Sequence, residues 1–391
     1  MYQRILNITQ VLQRKSLFLL GPRQTGKSTY LRSHFPEALY INLLKSSEYQ
    51  NYLKDPSYLH KTVNYFVKNN VSRIVIVDEI QKIPNLLNDI HDLIEQDKSL
   101  RFILTGSSAR KLRRGGANLL GGRASRIYFH PLCYPELGIN QDDLWIKGLS
   151  SGKLPPIIDT ANYFEDLKDY VGLYLREEIQ EEGLTRSLEN FSRFLDVAAL
   201  MNGEQINYTA IGSDAQIAPT LVKDYFEILS DTLVGHLLPA FLATTKRKAM
   251  STSKFYFFDN GVVNALTGRS IIPKGTPEFG KSFELAIYSE ILAYLNYRQS
   301  SKKVEYWRST SKFEVDFLVY DRIEEIVAIE VKSSTQPSKK DFKGLLALEE
   351  EHKLLKKIIV CQAEKPLLTE EEIEILPVFI FLKRLWQGEL F

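Results

Sequence analysis

Cysteine is scarce in this chain of 391 residues: there are two, Cys133 and Cys361, beside six histidines and three methionines. Two thiols so far apart build neither a disulfide framework nor a metal or redox spacing, which suits a reducing compartment. A dominant charge sign is missing as well. Lys and Arg total 50 against 48 Asp and Glu, a net charge of +2, so any nucleic-acid contact has to come from a local basic patch. No signal-like apolar segment opens the sequence and no apolar run is long enough to cross a bilayer, so the expectation is a cytoplasmic protein with no membrane partner. What is present is an ordinary globular composition, 44% hydrophobic and 25% charged. The length exceeds what one core usually supports, and two or three domains are expected.

An apolar run, Ser16-Leu17-Phe18-Leu19-Leu20, leads straight into Gly21-Pro22-Arg23-Gln24-Thr25-Gly26-Lys27-Ser28-Thr29, which fits the pattern G-x-x-x-x-G-K-[ST]. That order places a phosphate-binding loop between a buried strand and a helix. A glycine-bearing turn aims backbone N–H groups at phosphates, Lys27 reaches the outer ones, and the Ser28 hydroxyl can ligate Mg²⁺. A second half of such a site is present in Ile74-Val75-Ile76-Val77-Asp78-Glu79. An apolar run ending in acids reads as a strand buried on both faces with its carboxylates at the ligand edge of an open α/β sheet. Asp78 is expected to hold Mg²⁺ through water and Glu79 to orient the attacking water. A further short strand, Arg101 to Ser108, ends in hydroxyls; Thr105 or Ser107 is the candidate to sense the terminal phosphate, the alternative being a plain strand-to-loop turn.

Taken together, the loop, Asp78-Glu79-Ile80-Gln81, Leu104-Thr105-Gly106-Ser107-Ser108, Gly121-Gly122-Arg123 and Pro131-Leu132-Cys133-Tyr134-Pro135-Glu136 resemble a widespread prokaryotic group of AAA+-type ATPases. The resemblance spans nearly the whole chain and implies ATP rather than GTP as the nucleotide. Members of the group carry a C-terminal half of unknown function. An arginine after a glycine pair suits projection into a neighbouring subunit's nucleotide site, so Arg123 is the candidate arginine finger of a homo-oligomer, the alternative for Arg123 and Arg126 being surface charge. Arg110, Lys111, Arg113 and Arg114 form a basic cluster that suits either nucleic acid or a solvated face, and Arg176 is a further candidate for approach to a phosphate.

Breakers at Ser150-Ser151-Gly152 and Pro155-Pro156 mark a boundary, and the expected α/β architecture has three parts. Residues 1–150 form an AAA+-like P-loop domain with a parallel sheet, 151–270 a helical linker and winged helix, and 271–391 a restriction-endonuclease-like α/β domain. In the middle part, helical segments around Phe194, Tyr208 and Pro219 precede two apolar strands, the order of a winged helix-turn-helix. The third helix offers Thr220 and Lys223 but also Asp224 and Glu227, so DNA and protein remain equal partners there, with Lys246-Arg247-Lys248 the better phosphate contact.

The last part holds Glu314-Val315-Asp316-Phe317-Leu318-Val319 and Ile326-Val327-Ala328-Ile329-Glu330-Val331-Lys332, two apolar strands bearing acids and a lysine. Alternation puts Glu330 and Lys332 on one face. This set resembles the restriction-endonuclease-like core. The resemblance implies Asp316 and Glu330 as Mg²⁺ ligands, Glu284 from a helix completing the metal site, and Lys332 positioning or activating water; simple exposed ion pairs are the alternative. Trp307 and Arg308 are either a stacking pair for nucleic acid or a core tryptophan beside a surface arginine. The expected activity is Mg²⁺-dependent ATP hydrolysis coupled to DNA binding, with metal-dependent cleavage of DNA as its furthest extent. The contrasting expectation is an ATP-driven switch or remodeller of protein partners whose nuclease-like domain only binds.

Overall fold

The computed structural model describes residues 2–108, 119–175, 187–244 and 246–391, without side chains at 119 and 173–175. The basic cluster at Arg110, Lys111, Arg113 and Arg114, and Arg176, lie outside the described residues. The chain divides into two compact units: Arg4–His130 with Asp231–Leu233, and Met1–Gln3 with Pro131–Ser230 and Val234–Phe391.

In the first unit, strands β1 (Ser16–Leu20), β2 (Leu39–Asn42), β3 (Ile74–Asp78), β4 (Arg101–Gly106) and β5 (Ala124–Tyr128) form one sheet in the order β2-β3-β4-β1-β5. Every pairing is parallel. A parallel sheet is covered on both faces, which is why β1 and the interior of β3 are unbroken apolar runs and all of β1 is buried. Each fully buried Leu or Phe in such a layer contributes roughly 1.5–3 kcal/mol. The register Leu20↔Gly106 and Asn42↔Asp78 aligns the carboxyl ends of β1, β4, β2 and β3 along one edge. That edge carries the phosphate-loop motif, Asp78 and Thr105.

The second unit opens with helices Gln141–Ser151 and Tyr163–Asp169. After helix Tyr163–Asp169 the chain continues as a π-helix over Tyr170–Leu175. Helices Leu188–Leu200, Tyr208–Ala215 and Pro219–Asp231 follow, then an antiparallel hairpin of β6 (Gly235–Leu238) and β7 (Lys254–Phe257). Ser187 and Asn207 cap the first two of these helices through their side chains, each cap worth about 1 kcal/mol.

Helix Pro277–Tyr297 then packs on a six-stranded mixed sheet of β8 (Lys303–Arg308), β9 (Glu314–Tyr320), β10 (Ile326–Val331), β11 (Leu354–Cys361), β12 (Leu367–Leu368) and β13 (Ile373–Pro377), ordered β12-β13-β11-β10-β9-β8. A single hydrophobic core runs from Leu132 and Trp145 through Phe194, Phe226 and Phe257 to Phe283, Ile329 and Phe381. Residues 131–150, the three helices, the hairpin and the last sheet therefore share one interior. Both cysteines are buried free thiols.

Candidate nucleotide site and a C-terminal acid cluster

The phosphate-loop residues are shaped by close backbone packing. A Cβ at Gly21 would lie 2.3 Å from the Phe129 carbonyl oxygen, so only glycine fits where the chain leaves β1. Gln24 and Gly26 take positive φ of 62° and 94°, and helix Lys27–His34 starts immediately after. Arg4 braces the loop from outside: its guanidinium donates to the carbonyls of Thr25 at 2.7 Å and His130 at 2.7 Å, and lies 4.1 Å from the centre of the Phe129 ring. The Thr25 hydroxyl donates to Pro22 O within the loop at 2.9 Å, whereas Thr29 is exposed. Lys27 is 6% exposed, and its ammonium donates to the carbonyls of Gly21 at 2.6 Å and Pro22 at 2.8 Å. The ammonium is thereby held at the mouth of its own loop.

Asp78 is the hub of the edge. Its Oδ2 accepts from the Ser28 hydroxyl at 2.8 Å and from the Tyr40 phenol at 2.5 Å, and its Oδ1 accepts from the Thr105 hydroxyl. Burial, and then the adjacent carboxylate of Asp78, push the Tyr40 phenol above its ordinary range, so it stays a donor. The same Thr105 oxygen accepts the Glu79 N–H at 3.0 Å. Glu79 holds a left-handed backbone, φ 63°, a conformation uncommon outside glycine.

The Glu79 carboxylate accepts from Gln81 Nε2 at 2.5 Å, and the same amide reaches Ser107 Oγ at 3.2 Å. Gly106 makes room for that amide, since a Cβ there would lie 2.7 Å from Gln81 Oε1. Thus Lys27, Ser28, Asp78, Glu79, Thr105 and Ser107 come together as the motif spacing suggests, joined by Arg4, Tyr40 and Gln81, which motif reading did not single out as site residues. Ser28 and Asp78 present hard oxygens 2.8 Å apart, a donor pair that fits Mg²⁺.

Arg123 follows two glycines of positive φ, Gly121 and Gly122, and its Nε pairs with Glu95 at 2.5 Å; both side chains are 39% exposed. Arg126 is exposed on β5.

In the second unit, acids and lysines converge from four elements. Glu284 comes from helix Pro277–Tyr297, Glu314 and Asp316 from one face of β9, Glu330 from β10, and Lys254 and Tyr256 from one face of β7. Lys254, 4% exposed, places its ammonium 2.6 Å from Glu314, 3.4 Å from Glu284 and 3.8 Å from Asp316. The Tyr256 phenol donates to Glu284 at 2.5 Å. Asp316 accepts the Val331 N–H at 2.8 Å, and Lys332 bonds Glu330 at 2.6 Å, as their shared face predicts.

Burial, and then the charge of Glu284, push Asp316 up to about 7. Burial and Asp316 raise Glu330 well above the carboxylate range. Burial pulls the Lys254 ammonium down, but Glu284, Tyr256, Asp316 and Glu314 outweigh it and the net shift is upward. Among the described residues, no group of three or more His, Cys, Asp or Glu is arranged to hold a metal ion. The structure brings Glu284, Asp316 and Glu330 into one neighbourhood but sets a lysine ammonium among them, so the donor set as it stands does not fit a resident divalent ion.

Trp307 is 0% exposed in the core and is not a stacking platform; Arg308 pairs with Glu314 at 3.2 Å. The basic candidates after the hairpin's first strand are engaged too. Lys246 Nζ donates to the Glu350 carbonyl at 2.5 Å, and Arg247 pairs with Glu350 at 2.7 Å. Lys223, Asp224 and Glu227 are exposed on their helix, so its outer face carries mixed charge.

Comparison with known proteins agrees with the first unit's geometry. Residues 13–138 match the family model described as an AAA domain, which supports an AAA-type ATPase at this end of the chain and NTP hydrolysis in general. Residues 149–271 and 279–381 match two further models, each described as a domain of unknown function (DUF8612 and DUF4143). The chain is similar to the uncharacterized protein Rv2008c of Mycobacterium tuberculosis (strain ATCC 25618 / H37Rv) and to the uncharacterized protein Mb2031c of Mycobacterium bovis (strain ATCC BAA-935 / AF2122/97). Each is 24% identical over 345 residues, covering 85% of this chain and 73% of the relative. Among the described residues no helix is long and apolar enough to cross a membrane.

Proposed function

We propose that this chain hydrolyses ATP with Mg²⁺ at the edge formed by β1, β3 and β4. The observation that carries the reading is Asp78, whose two oxygens are claimed by Ser28 from the phosphate-loop motif and Thr105 from the neighbouring strand. Backbone N–H groups of the loop and the first turn of helix Lys27–His34 suit a phosphate, and Lys27 has three hydrogens to transfer from carbonyls to phosphate oxygens. Ser28 and Asp78 would hold Mg²⁺, which supplies charge neutralisation at the phosphates when bound. Glu79 is the group that orients water; Gln81 holds its carboxylate, and Ser107 accepts from the same Gln81 amide.

Calorimetry with ATP and Mg²⁺ tests this: wild type gives a binding isotherm and Lys27→Ala loses it. Heat unchanged by that substitution would remove the reading.

Arg123 is assigned to a neighbouring copy's site in a homo-oligomer. Its pair with Glu95 is open to solvent, where ion pairs are weak, so exchanging Glu95 for a phosphate oxygen is cheap. In a mixed-subunit assay, Glu79→Gln subunits combined with Arg123→Ala subunits recover hydrolysis, because the first supply the arginine and the second the intact site. Recovery no better than with buffer removes the role in trans.

The output of hydrolysis is action on a second macromolecule. The engaged charges of Lys246 and Arg247, and the lysine within the acid cluster, favour an ATP-driven switch on a protein partner, with the nuclease-like unit kept for binding. Asp316, Glu330 and Lys332 on adjoining strands favour the second reading, DNA binding with metal-dependent cleavage. Hydrolysis measured with and without linear, branched and single-stranded DNA separates them: stimulation of severalfold selects DNA, and indifference together with no cutting selects the protein switch.

A further inference from the structure

The acid cluster of the second unit is an unusual thing to bury. Glu284, Glu314, Asp316 and Glu330 bring four carboxyl groups together from a helix and two strands, and Asp316 and Glu330 are 6% and 7% exposed. Buried carboxylates of this density need a cation or protons.

Lys332 bonds Glu330 at 2.6 Å and acts on Asp316 only through its charge. The remaining three acids converge on one atom. Lys254 Nζ is 2.6 Å from Glu314, 3.4 Å from Glu284 and 3.8 Å from Asp316, so one ammonium lies within ion-pair distance of all three acids. The lysine is itself held from several sides. Its main chain is paired in β7 with Leu238 of β6, its ammonium lies 5.3 Å from the Tyr306 ring centre, and Tyr256, two residues on, donates to the same Glu284 oxygen.

One acceptor is left over: the buried Oε2 of Glu330 has no hydrogen-bond partner. An oxygen of that kind is a normal member of a cation site and costly otherwise. A divalent ion needs oxygens at about 2.0–2.6 Å in the same space that the ammonium fills.

We propose that Lys254 is the resident cation of this cluster, holding the place a divalent ion would need, and that the site takes up Mn²⁺ or Mg²⁺ only when this ammonium is removed. The proposal is independent of the ATPase reading, because it rests on residues of the second unit alone. It assigns the wild-type C-terminal unit a metal-free acid cluster, and Lys254 the role of a built-in competitor for divalent ions.

The test is Mn²⁺ binding to the full chain, followed by electron paramagnetic resonance of free Mn²⁺ and by thermal shift. Any Mn²⁺ held at Asp78 is common to all variants and drops out of the differences. Wild type and Asp316→Asn are expected to bind the same amount. Lys254→Met is expected to gain one further Mn²⁺ per chain, at least tenfold tighter than anything the wild type shows beyond the shared site, and to lose it again in Lys254→Met/Asp316→Asn. Its melting temperature should fall without metal and gain more from Mn²⁺ than that of wild type or Lys254→Arg, which should respond alike.

A variant that folds only in Mn²⁺ supports the proposal equally. A wild-type Mn²⁺ site that disappears in Asp316→Asn overturns it, as does a folded Lys254→Met that gains none. If Lys254→Met folds in neither condition, the neutral but polar Lys254→Gln carries the same comparison, and the wild-type arm decides independently.

Discussion

Thr105 is the most informative single hydroxyl in the proposed nucleotide site. It is 0% exposed, donates to Asp78 Oδ1 and accepts the Glu79 N–H at 3.0 Å, so one oxygen fixes both acids of the edge. Thr105→Val keeps the shape and the β-branch while deleting both bonds. Each buried group left without its partner costs about 1–3 kcal/mol. Asp78 retains Ser28 and Tyr40, so its loss is the smaller part; the Glu79 N–H is at a left-handed residue and its loss falls on the carboxylate proposed to orient water.

If the cost of one such group is borne in the transition state, kcat falls roughly 10- to 100-fold. ATP affinity should change by less than about threefold, because the proposed phosphate contacts come from residues 21–28 and not from β4. Steady-state hydrolysis gives kcat, calorimetry of ATP in Ca²⁺ gives affinity, and Thr105→Ser should restore most of kcat. A Thr105→Val enzyme within twofold of wild-type kcat refutes the claim that this hydroxyl positions Glu79. A loss of affinity equal to the loss of kcat refutes it too, by showing that Thr105 acts on ground-state binding.

Gly106→Ala should keep the fold and ATP binding but drop kcat by about tenfold, read in the same assays, because its methyl displaces the Gln81 amide that holds Glu79. Glu290 is 0% exposed and accepts from Lys153 Nζ at 2.5 Å, Trp145 Nε1 at 3.2 Å and Trp386 Nε1 at 2.9 Å. Glu290→Leu should cost about 3–5 kcal/mol and Glu290→Leu/Lys153→Met should recover most of it, followed by tryptophan fluorescence during urea unfolding. Asp259, 4% exposed, is pushed up to about 6 from 3.8 by burial, against opposing hydrogen bonds from the Lys153 and Gly261 N–H groups. A raised carboxyl favours the fold while protonated, so its contribution is complete below about pH 4 and is lost as pH rises to about 6, on the order of 3 kcal/mol. Asp316 adds a loss of the same sign that extends to about pH 7. Thermal unfolding of Asp259→Asn across pH 4–6 should show a flatter profile than wild type; parallel profiles would assign the slope elsewhere.

The proposed nucleotide site could be read from the sequence because its motifs are written locally. The phosphate loop lies within nine consecutive positions, and β1, β3 and β4 are apolar runs whose parallel pairing needs no further information to bring Gly21, Asp78 and Thr105 to one edge. Tyr40 and Arg4 were not legible. Tyr40 reaches Asp78 across 38 residues of sequence and Arg4 reaches Thr25 across 21, and nothing in their local spacing distinguishes them from any half-buried tyrosine or arginine. Gln81 was quoted within a motif, but only the missing side chain at Gly106 shows what its amide is for.

The acid cluster shows how a local pattern leaves out a charge that the fold supplies from elsewhere. Asp316, Glu330 and Lys332 carry their spacing in plain view, and alternation along β10 does place Glu330 and Lys332 together. Lys254 arrives from a hairpin strand far upstream, where its neighbours Ser253 and Phe255 give no hint of a partner. Pattern reading counts the acids that a strand offers; electrostatics counts every charge within reach, whichever element supplies it. One added ammonium turns a set of hard ligands into a neutralised cluster without changing a letter of the motif. The chemical assignment of such motifs therefore depends on the cation that the rest of the fold delivers, and here the fold delivers a lysine.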